Sequence, residues 1–188
     1  MTVRKTLFAT MCLLVLSVSS FVCGQQPPEP TKEHEMFKSL VGVWDVDVDF
    51  YPEGPSGPKM SSKATETNKM LGGFFVISDF DGELAGAPFT GHGQTGYDPV
   101  EKMYVGTWCD TMSPHLMHTK GNYDVKTRTM TMEYEAIDPS TGNKAKGKNV
   151  EKHIDDNTRV FEMYGKPPGA KDLVKMMESR YKRRPAKN

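Results

Sequence analysis

The sequence predicts a mainly β protein, in which one short helix precedes an antiparallel meander of about eight to ten strands. Apolar and polar residues alternate with a period of two along most of the chain after Gly42. Turn-forming residues recur between these segments, and a single helical pattern comes before them. A closed barrel is favoured over a two-sheet sandwich, because closure leaves no unpaired strand edge.

The first 24 residues have the order of a secretory signal peptide. Arg4 and Lys5 provide the positive start, and an uncharged apolar run follows over residues 6–23. We expect removal of residues 1–24 and export to the periplasm or the extracellular space. Lipid attachment at Cys23 is the less favoured alternative, since the bulky Val22 precedes it. A retained anchor is also disfavoured, because the apolar run is short for a membrane span.

The remainder of the chain divides into three parts. Residues 25–30 are rich in proline and glutamine and read as an extended linker. A single barrel domain is expected over residues 31–184, and residues 185–188 form a basic tail. Such a domain is large enough to bury a core of its own.

A helix is predicted over residues 31–40. Thr31 has the side chain of an N-cap, and acidic residues occupy the first turn, where the helix dipole favours them. An apolar stripe follows, and Gly42 provides the stop signal. The stripe consists of Met36, Phe37 and Leu40.

The first strand follows the helix directly. Its inner positions are apolar and its outer positions acidic, with Trp44, Val46, Val48 and Phe50 alternating with Asp45, Asp47 and Asp49. Further strands are predicted at about 59–71, 74–81, 90–97, 103–110, 116–123, 128–137, 144–154, 158–165 and 174–183.

Charge and cysteine content exclude several classes of protein. The chain has 24 basic and 24 acidic residues among 188, so it is neither a strongly basic nucleic-acid binder nor an acidic disordered chain. We therefore expect no nucleic-acid partner, and the hydropathy predicts no stable membrane span. Removal of residues 1–24 would leave Cys109 as the single cysteine, with no internal disulfide. Cys109 is interpreted as a small buried hydrophobe.

Short motifs link the chain to known barrels. A helix followed by Gly42-Val43-Trp44 is similar to the opening of lipocalin-like (calycin) barrels, in which the tryptophan closes one end against an arginine of a late strand. Arg180, Arg183 and Arg184 are the candidates for that arginine.

Further segments resemble the exported bacterial domain-of-unknown-function 1579 family over residues 31–184. They are Glu66 to Gly73, Gly91-His92-Gly93, Gly96 to Pro99, Tyr104 to Trp108 and Asp110 to Pro114. The resemblance implies a calycin-type barrel and export, and it implies no established reaction and no catalytic residues.

Two motifs suggest cofactors, and neither fits its context. Gly91 to Gly96 matches the dinucleotide-binding spelling G-x-G-x-x-G, but Tyr97-Asp98-Pro99 follows where a helix should begin. These glycines are interpreted as a bent strand. A loose set of potential metal ligands lacks the paired spacing of zinc sites; it comprises Cys109, Asp110, His115 and His118. Haem is disfavoured because no histidine follows His153. We predict no metal and no cofactor.

The strand alternation also predicts a candidate ligand site. Two predicted strands carry lysines at alternating positions, which should face solvent, so the polar residues between them should face the interior. A third strand should present methionines and a tyrosine to the interior. Trp108 is added because aromatic side chains often line pockets. The candidate set is Glu66, Asn68, Trp108, Met130, Met132, Tyr134, Glu151 and His153. The alternatives are an internal polar network whose hydrogen bonds are all satisfied, or a bulge that reverses the alternation.

The leading functional hypothesis is an exported, non-catalytic barrel that binds a small, largely apolar molecule. A hydrolase or isomerase that uses Glu66, Glu151 or His153 as acid or base is the first alternative. A packed interaction module without any ligand is the second. The sequence identifies neither the ligand nor the oligomeric state.

Overall fold

The computed structural model describes residues 28–84, 86–137, 142–167 and 170–185. The predicted signal peptide, most of the predicted linker and the end of the predicted tail lie outside the described residues. Within these ranges, no helix has the length and hydropathy needed to cross a bilayer.

A short helical segment opens the described chain. A 3-10 turn, Lys32–His34, leads into the α-helix α1, Glu35–Lys38, with Thr31 at the N-cap. The predicted helix over 31–40 is thus in the right place but too long. It ends at Lys38 because the amides of Ser39 and Leu40 bond to carbonyls three residues back, at 3.2 and 3.0 Å.

Ten strands follow, each antiparallel to both neighbours, and they close into one barrel in the order β1-β10-β9-β8-β7-β6-β5-β4-β3-β2. The predicted fold class is confirmed. The strands are β1 Gly42–Phe50, β2 Met60–Leu71, β3 Phe75–Leu84, β4 Ala87–Asp98, β5 Met103–Asp110, β6 Ser113–Asp124, β7 Thr129–Ile137, β8 Lys144–His153, β9 Thr158–Gly165 and β10 Val174–Arg183.

The meander places its connections alternately at two ends of the barrel. The β2–β3, β4–β5, β6–β7 and β8–β9 connections lie at one end, together with the helical segment that covers it. We call this the closed end. The other five connections lie at the opposite end, which we call the open end.

Two apolar clusters pack inside the barrel: one fills its closed half, and the other runs from the closed half past the middle to Val48. The helix-side cluster packs beneath the helical segment and consists of Phe37, Leu40, Val76, Tyr104, Met130 and Met132. The strand-side cluster consists of Trp44, Val46, Val48, Phe80 and Tyr181. The helical segment therefore seals the barrel with its apolar stripe.

Trp44 is the predicted plug, and its side chain is only 1% exposed. Its indole N–H donates to the Leu40 carbonyl at 2.8 Å. The guanidinium carbon of Arg183 lies 4.1 Å from the ring centroid, which identifies the late-strand arginine among the three candidates. Arg183 also donates to the backbone carbonyls of Ser39 and Val41. This arginine thereby ties the last strand to the chain entry.

Gly42 is required where Arg183 meets the start of β1. Its φ of +127° is a backbone conformation that residues with a side chain rarely adopt. A Cβ atom there would also lie 2.8 Å from Nη1 of Arg183. The glycine that was expected to stop the helix therefore also makes room for the arginine.

Cys109 is exposed, so the interpretation of this residue as a buried hydrophobe is wrong. The alternation along β5 directs Tyr104 and Trp108 into the barrel and places Cys109 on the outer face.

Candidate functional site

A buried polar network lies between the two apolar clusters. Its members are Glu66 and Asn68 on β2, Glu151 and His153 on β8, and Arg159 on β9. The strand alternation predicted the inward direction of the first four, and the structure confirms it: Glu66, Asn68 and His153 are all buried. Arg159, at the centre of the network, was not among the predicted residues.

Arg159 connects the two carboxylates. One terminal nitrogen donates to Oε1 of Glu66, and the other donates to Oε2 of Glu151 at 2.6 Å. The guanidinium carbon lies 3.7 Å from the ring centroid of Tyr181 and 4.8 Å from that of Trp44. Paired charges and aromatic faces together offset the desolvation of this arginine.

The remaining members complete the network. Nε2 of His153 donates to Oε1 of Glu151 at 2.9 Å, because a carboxylate can only accept. The amide nitrogen of Asn68 donates to Glu66 at 2.7 Å and to the Leu40 carbonyl at 3.2 Å. Because Asn68 bonds to Leu40, just after the helical segment, the network links this entry of the chain to β2, β8 and β9.

The network also sets the protonation of Glu151. Burial acts to raise the pKa of this carboxyl, but the charges of Arg159 and His153 and their hydrogen bonds outweigh burial and lower the pKa to about 2. Burial and the nearby Glu66 carboxylate raise the pKa of the Tyr181 hydroxyl well above its ordinary value. Glu151 is consequently a carboxylate at neutral pH and a weak base.

A cavity of about 1360 Å³ extends along β5, β6, β7 and β8, mostly in their open-end halves, and reaches Phe75 of β3 and Gln94 of β4. Inward-facing Trp108, Met117, Tyr134 and Gly147 line it from inside the barrel. It continues along the outer face of the same strands, where outward-facing charged side chains line it: Lys120, Glu133, Glu135, Lys144, Lys146 and Lys148.

Trp108 lies on a floor of glycines. A Cβ atom at Gly93 would approach its ring to 2.9 Å, and one at Gly91 would overlap it. The indole N–H donates to Asp110 at 2.9 Å, and the ring packs edge-on against Phe80. The glycines interpreted as a bent strand thus serve to accommodate an aromatic side chain on the adjacent strand.

Tyr134 has a similar arrangement on the other side of the cavity. Its ring covers Gly147 of the adjacent strand, where any side chain would overlap it. Its hydroxyl donates to the Tyr164 carbonyl at 3.1 Å, which fixes the ring in place. Burial raises the pKa of this hydroxyl. Two aromatic rings therefore present fixed apolar surfaces to the same cavity.

The structure divides the predicted ligand-binding residues into three groups. Trp108 and Tyr134 line the cavity, whereas Met130 and Met132 pack in the helix-side cluster. The four polar residues form the buried network and are not part of the cavity lining, which differs from the expectation that they form its polar end: Glu66, Asn68, Glu151 and His153.

The loose metal-ligand set does not assemble among the described residues, in which no group of three or more suitable side chains could hold an ion. Asp110 instead accepts from the Trp108 indole and from the amide of Met112.

The chain belongs to the family described as "Protein of unknown function (DUF1579)", whose model matches residues 29–183. This confirms the resemblance found in the sequence. No curated protein matches the chain.

Two solved structures show the same type of barrel. Rv2717c from M. tuberculosis is 12% identical, with a TM-score of 0.64 over 84% of this chain and 100% of that protein. The S-type phycobiliprotein lyase CPES from Guillardia theta is also 12% identical, with a TM-score of 0.54 over 84% of this chain and 100% of the lyase. At these identities the comparison concerns the fold alone.

Proposed function

We propose that this member of the family binds a small, largely apolar molecule in the open half of its barrel and catalyses no reaction. The observation that carries the proposal is the contrast in filling along the barrel axis. Large side chains occupy the closed half, while in the open half a cavity of about 1360 Å³ lies against the fixed rings of Trp108 and Tyr134.

Pairs of equivalent side chains illustrate this contrast. Met130 and Met132 face inward in the closed half and are buried. Met117 and Met163 also face inward, but both remain partly exposed. Methionine is flexible and polarizable, so partly exposed methionines suit a cavity that adapts to its ligand.

The buried network favours binding over catalysis. Each ionised group in it already has charged or hydrogen-bonding partners, and Glu151 with a pKa of about 2 is a poor proton acceptor at neutral pH. Oε1 of Glu66 already accepts hydrogen bonds from Arg159 and Asn68. The residues considered for a hydrolase or isomerase therefore serve the structure of the closed half.

The two tryptophans provide the test, since the chain contains only Trp44 and Trp108. A short alkyl chain bearing a nitroxide quenches tryptophans with which it is in close contact. In the Trp44→Phe variant, we expect saturable quenching of Trp108. In the Trp108→Phe variant, the remaining Trp44 should not be quenched. Absence of saturable quenching, or equal quenching of both tryptophans, would reject the proposal.

Substitutions sharpen this experiment. Trp108→Ala should weaken probe binding about tenfold or more, because an aromatic side chain buries a large apolar surface against a ligand. Glu66→Gln is the matched control in the closed half. It should leave the probe affinity within about threefold of the wild-type value. It should also lower the free energy of unfolding by about 1–3 kcal/mol, because the partners of the Glu66 carboxylate lose their hydrogen bonds. A larger affinity loss in Glu66→Gln would place the ligand at the network instead.

A further inference from the structure

We propose that the ligand carries an uncharged hydroxyl group, which binds at the inner end of the cavity between Thr95 and Thr119. This inference rests on the proposed function, because it specifies the chemical class and the orientation of the molecule in the open half. The ligand lies with its hydroxyl group innermost and its apolar part against Trp108. Two threonine hydroxyls without partners, and the glycine between them, carry the inference.

The two threonines flank a glycine on the inner face of the barrel. Thr95 of β4 pairs in register with Gly106 of β5, which pairs in turn with Thr119 of β6. A Cβ atom at Gly106 would lie 3.0 Å from Oγ1 of Thr95 and 2.9 Å from Oγ1 of Thr119. Both hydroxyls therefore border the space over Gly106. We call these three residues the hydroxyl notch.

Neither hydroxyl of the notch is used within the protein. Among the residues that the structure describes, the side chains of Thr95 and Thr119 have no hydrogen-bond partner. Both residues face inward and are nevertheless partly exposed, so the space inside the barrel reaches them. By contrast, the inward-facing Glu66 and Asn68 bond to each other. The notch therefore offers a ligand hydrogen bonds that the protein itself does not use.

The notch lies at the inner end of the cavity. Gly106 and Thr119 are cavity-lining residues, and Trp108 is the next inward residue of β5 toward the open end. In the other direction, the next inward residue of β5 is Tyr104, which is buried in the helix-side cluster. Apolar packing thus closes the barrel just beyond the notch. A ligand that reaches the notch from the open end has its polar group innermost.

The groups at the notch favour a ligand that both donates and accepts. The carbonyl oxygen of Gln94 would lie 2.8 Å from a Cβ atom at Gly106, so an acceptor faces the same space as the two threonine hydroxyls. A hydroxyl group can donate one hydrogen bond and accept others, whereas an ether or a carbonyl oxygen can only accept. A hydroxyl is therefore the smallest ligand group that matches the notch.

The charges inside the barrel favour an uncharged ligand group. The described strands turn three basic side chains toward the interior, and each already donates to an acceptor of the protein: His153, Arg159 and Arg183. A carboxylate at the notch would lose much of its hydration and gain only hydroxyl donors, which does not offset the cost of burying a charge. The notch therefore selects a neutral amphiphile over an anionic one.

The test compares nitroxide-bearing alkyl probes of equal length that end in a hydroxyl, a methyl ether or a carboxylate. Quenching of Trp108 in the full chain with Trp44→Phe measures the affinity of each probe. We expect the alcohol to bind about tenfold more tightly than the methyl ether, because the ether has no proton to donate and its methyl group crowds the notch. The carboxylate should bind more weakly than the alcohol.

Threonine-to-valine substitutions assign this preference to the notch. Thr95→Val and Thr119→Val each remove a hydroxyl and keep the branched shape of the side chain. Each should lower the alcohol affinity about threefold, and the double variant should bind the alcohol and the ether within about twofold of each other. Thr131→Val is the matched control, because Thr131 is exposed on the outer face of β7, and it should leave the alcohol-to-ether ratio unchanged.

The outcomes separate this inference from the proposed function. If no probe quenches Trp108 saturably, the proposed function fails and this inference fails with it. If the alcohol and the ether bind equally to the Trp44→Phe protein, or the carboxylate binds most tightly, the cavity binds a ligand but the hydroxyl class is wrong. If the Thr95→Val, Thr119→Val double variant keeps its preference for the alcohol, the assignment to the notch is wrong.

Discussion

The two halves of the barrel share the same strands but use their inner positions differently. In the closed half, the inner positions carry large apolar side chains and a five-residue ionic network. In the open half, several inner positions carry glycine, and the aromatic side chains of adjacent strands lie over them. The closed half therefore contributes most of the packing that stabilises the fold, while the open half can retain space.

Removal of the plug should have the largest effect. Trp44→Ala should lower the free energy of unfolding by about 3–5 kcal/mol, since it leaves a cavity between Arg159, Arg183 and the strand-side cluster. Trp108→Ala, the matched change in the open half, should cost less than half as much. Chemical denaturation of both variants measures the difference.

Equal losses in these two variants would contradict the division of the barrel into a stabilising half and an accommodating half. A Trp44→Ala protein as stable as the wild type would reject the plug itself.

The second prediction concerns the centre of the network. Arg159→Met should lower the free energy of unfolding by about 3 kcal/mol, because Glu66 would become a buried carboxylate without a counterion and Glu151 would keep only His153. Neutralising both carboxylates in the same protein, through Glu66→Gln and Glu151→Gln, should restore much of the loss. If the triple variant were as unstable as Arg159→Met alone, the loss would stem from packing rather than from unpaired charge.

The third prediction is a pH dependence that originates in the closed half. The folded protein holds the pKa of Glu151 at about 2, below its ordinary value of 4.5. A lowered folded-state pKa gives stability that is present above the ordinary pKa and is lost as pH falls toward the folded value. Between about pH 4.5 and 2, this one group should reduce the free energy of unfolding by up to about 1.4 kcal/mol per pH unit.

Thermal unfolding across this pH range measures the effect. Glu151→Gln should reduce the loss of stability that accompanies the fall in pH. Asp79→Asn, which removes an exposed carboxylate on the outer face, should leave this loss unchanged. If Glu151→Gln lost stability as steeply as the wild type, other carboxylates would dominate the acid dependence. Asp49 is the first of these to examine, because its hydrogen bonds with Arg180 and Ser61 hold its pKa at about 2.

Sequence reasoning predicted the barrel well, since alternation and turn chemistry are local properties. The ten strands lie within a few residues of their predicted positions, and the inward direction of Glu66, Asn68, Glu151 and His153 followed from the lysines on the outer face. The helix was overestimated because helix length depends on where the amides after Lys38 find their bonds. Such bonds are set by the barrel that the segment covers.

The site was harder to predict, because its residues come together only through the closure of the barrel. Arg159 stands in β9, and nothing in its neighbourhood in sequence shows that Glu66, 93 residues earlier, is its partner. The alternation that placed Glu151 and His153 inward also applies to Arg159, which pairs with His153 in register, and this signal could have identified it. The roles of Gly91, Gly93 and Gly147 depend on rings from adjacent strands, which alternation cannot reveal.

The most direct test of the contrast between the halves is collisional quenching of each tryptophan by acrylamide in the unliganded protein. Trp108 is partly exposed at the cavity, whereas Trp44 is buried beneath two arginines. The Trp44→Phe variant, which reports Trp108, should be quenched several-fold more steeply than the Trp108→Phe variant, which reports Trp44. Equal and shallow quenching of both would show that the open half is as tightly filled as the closed half, and would contradict the account.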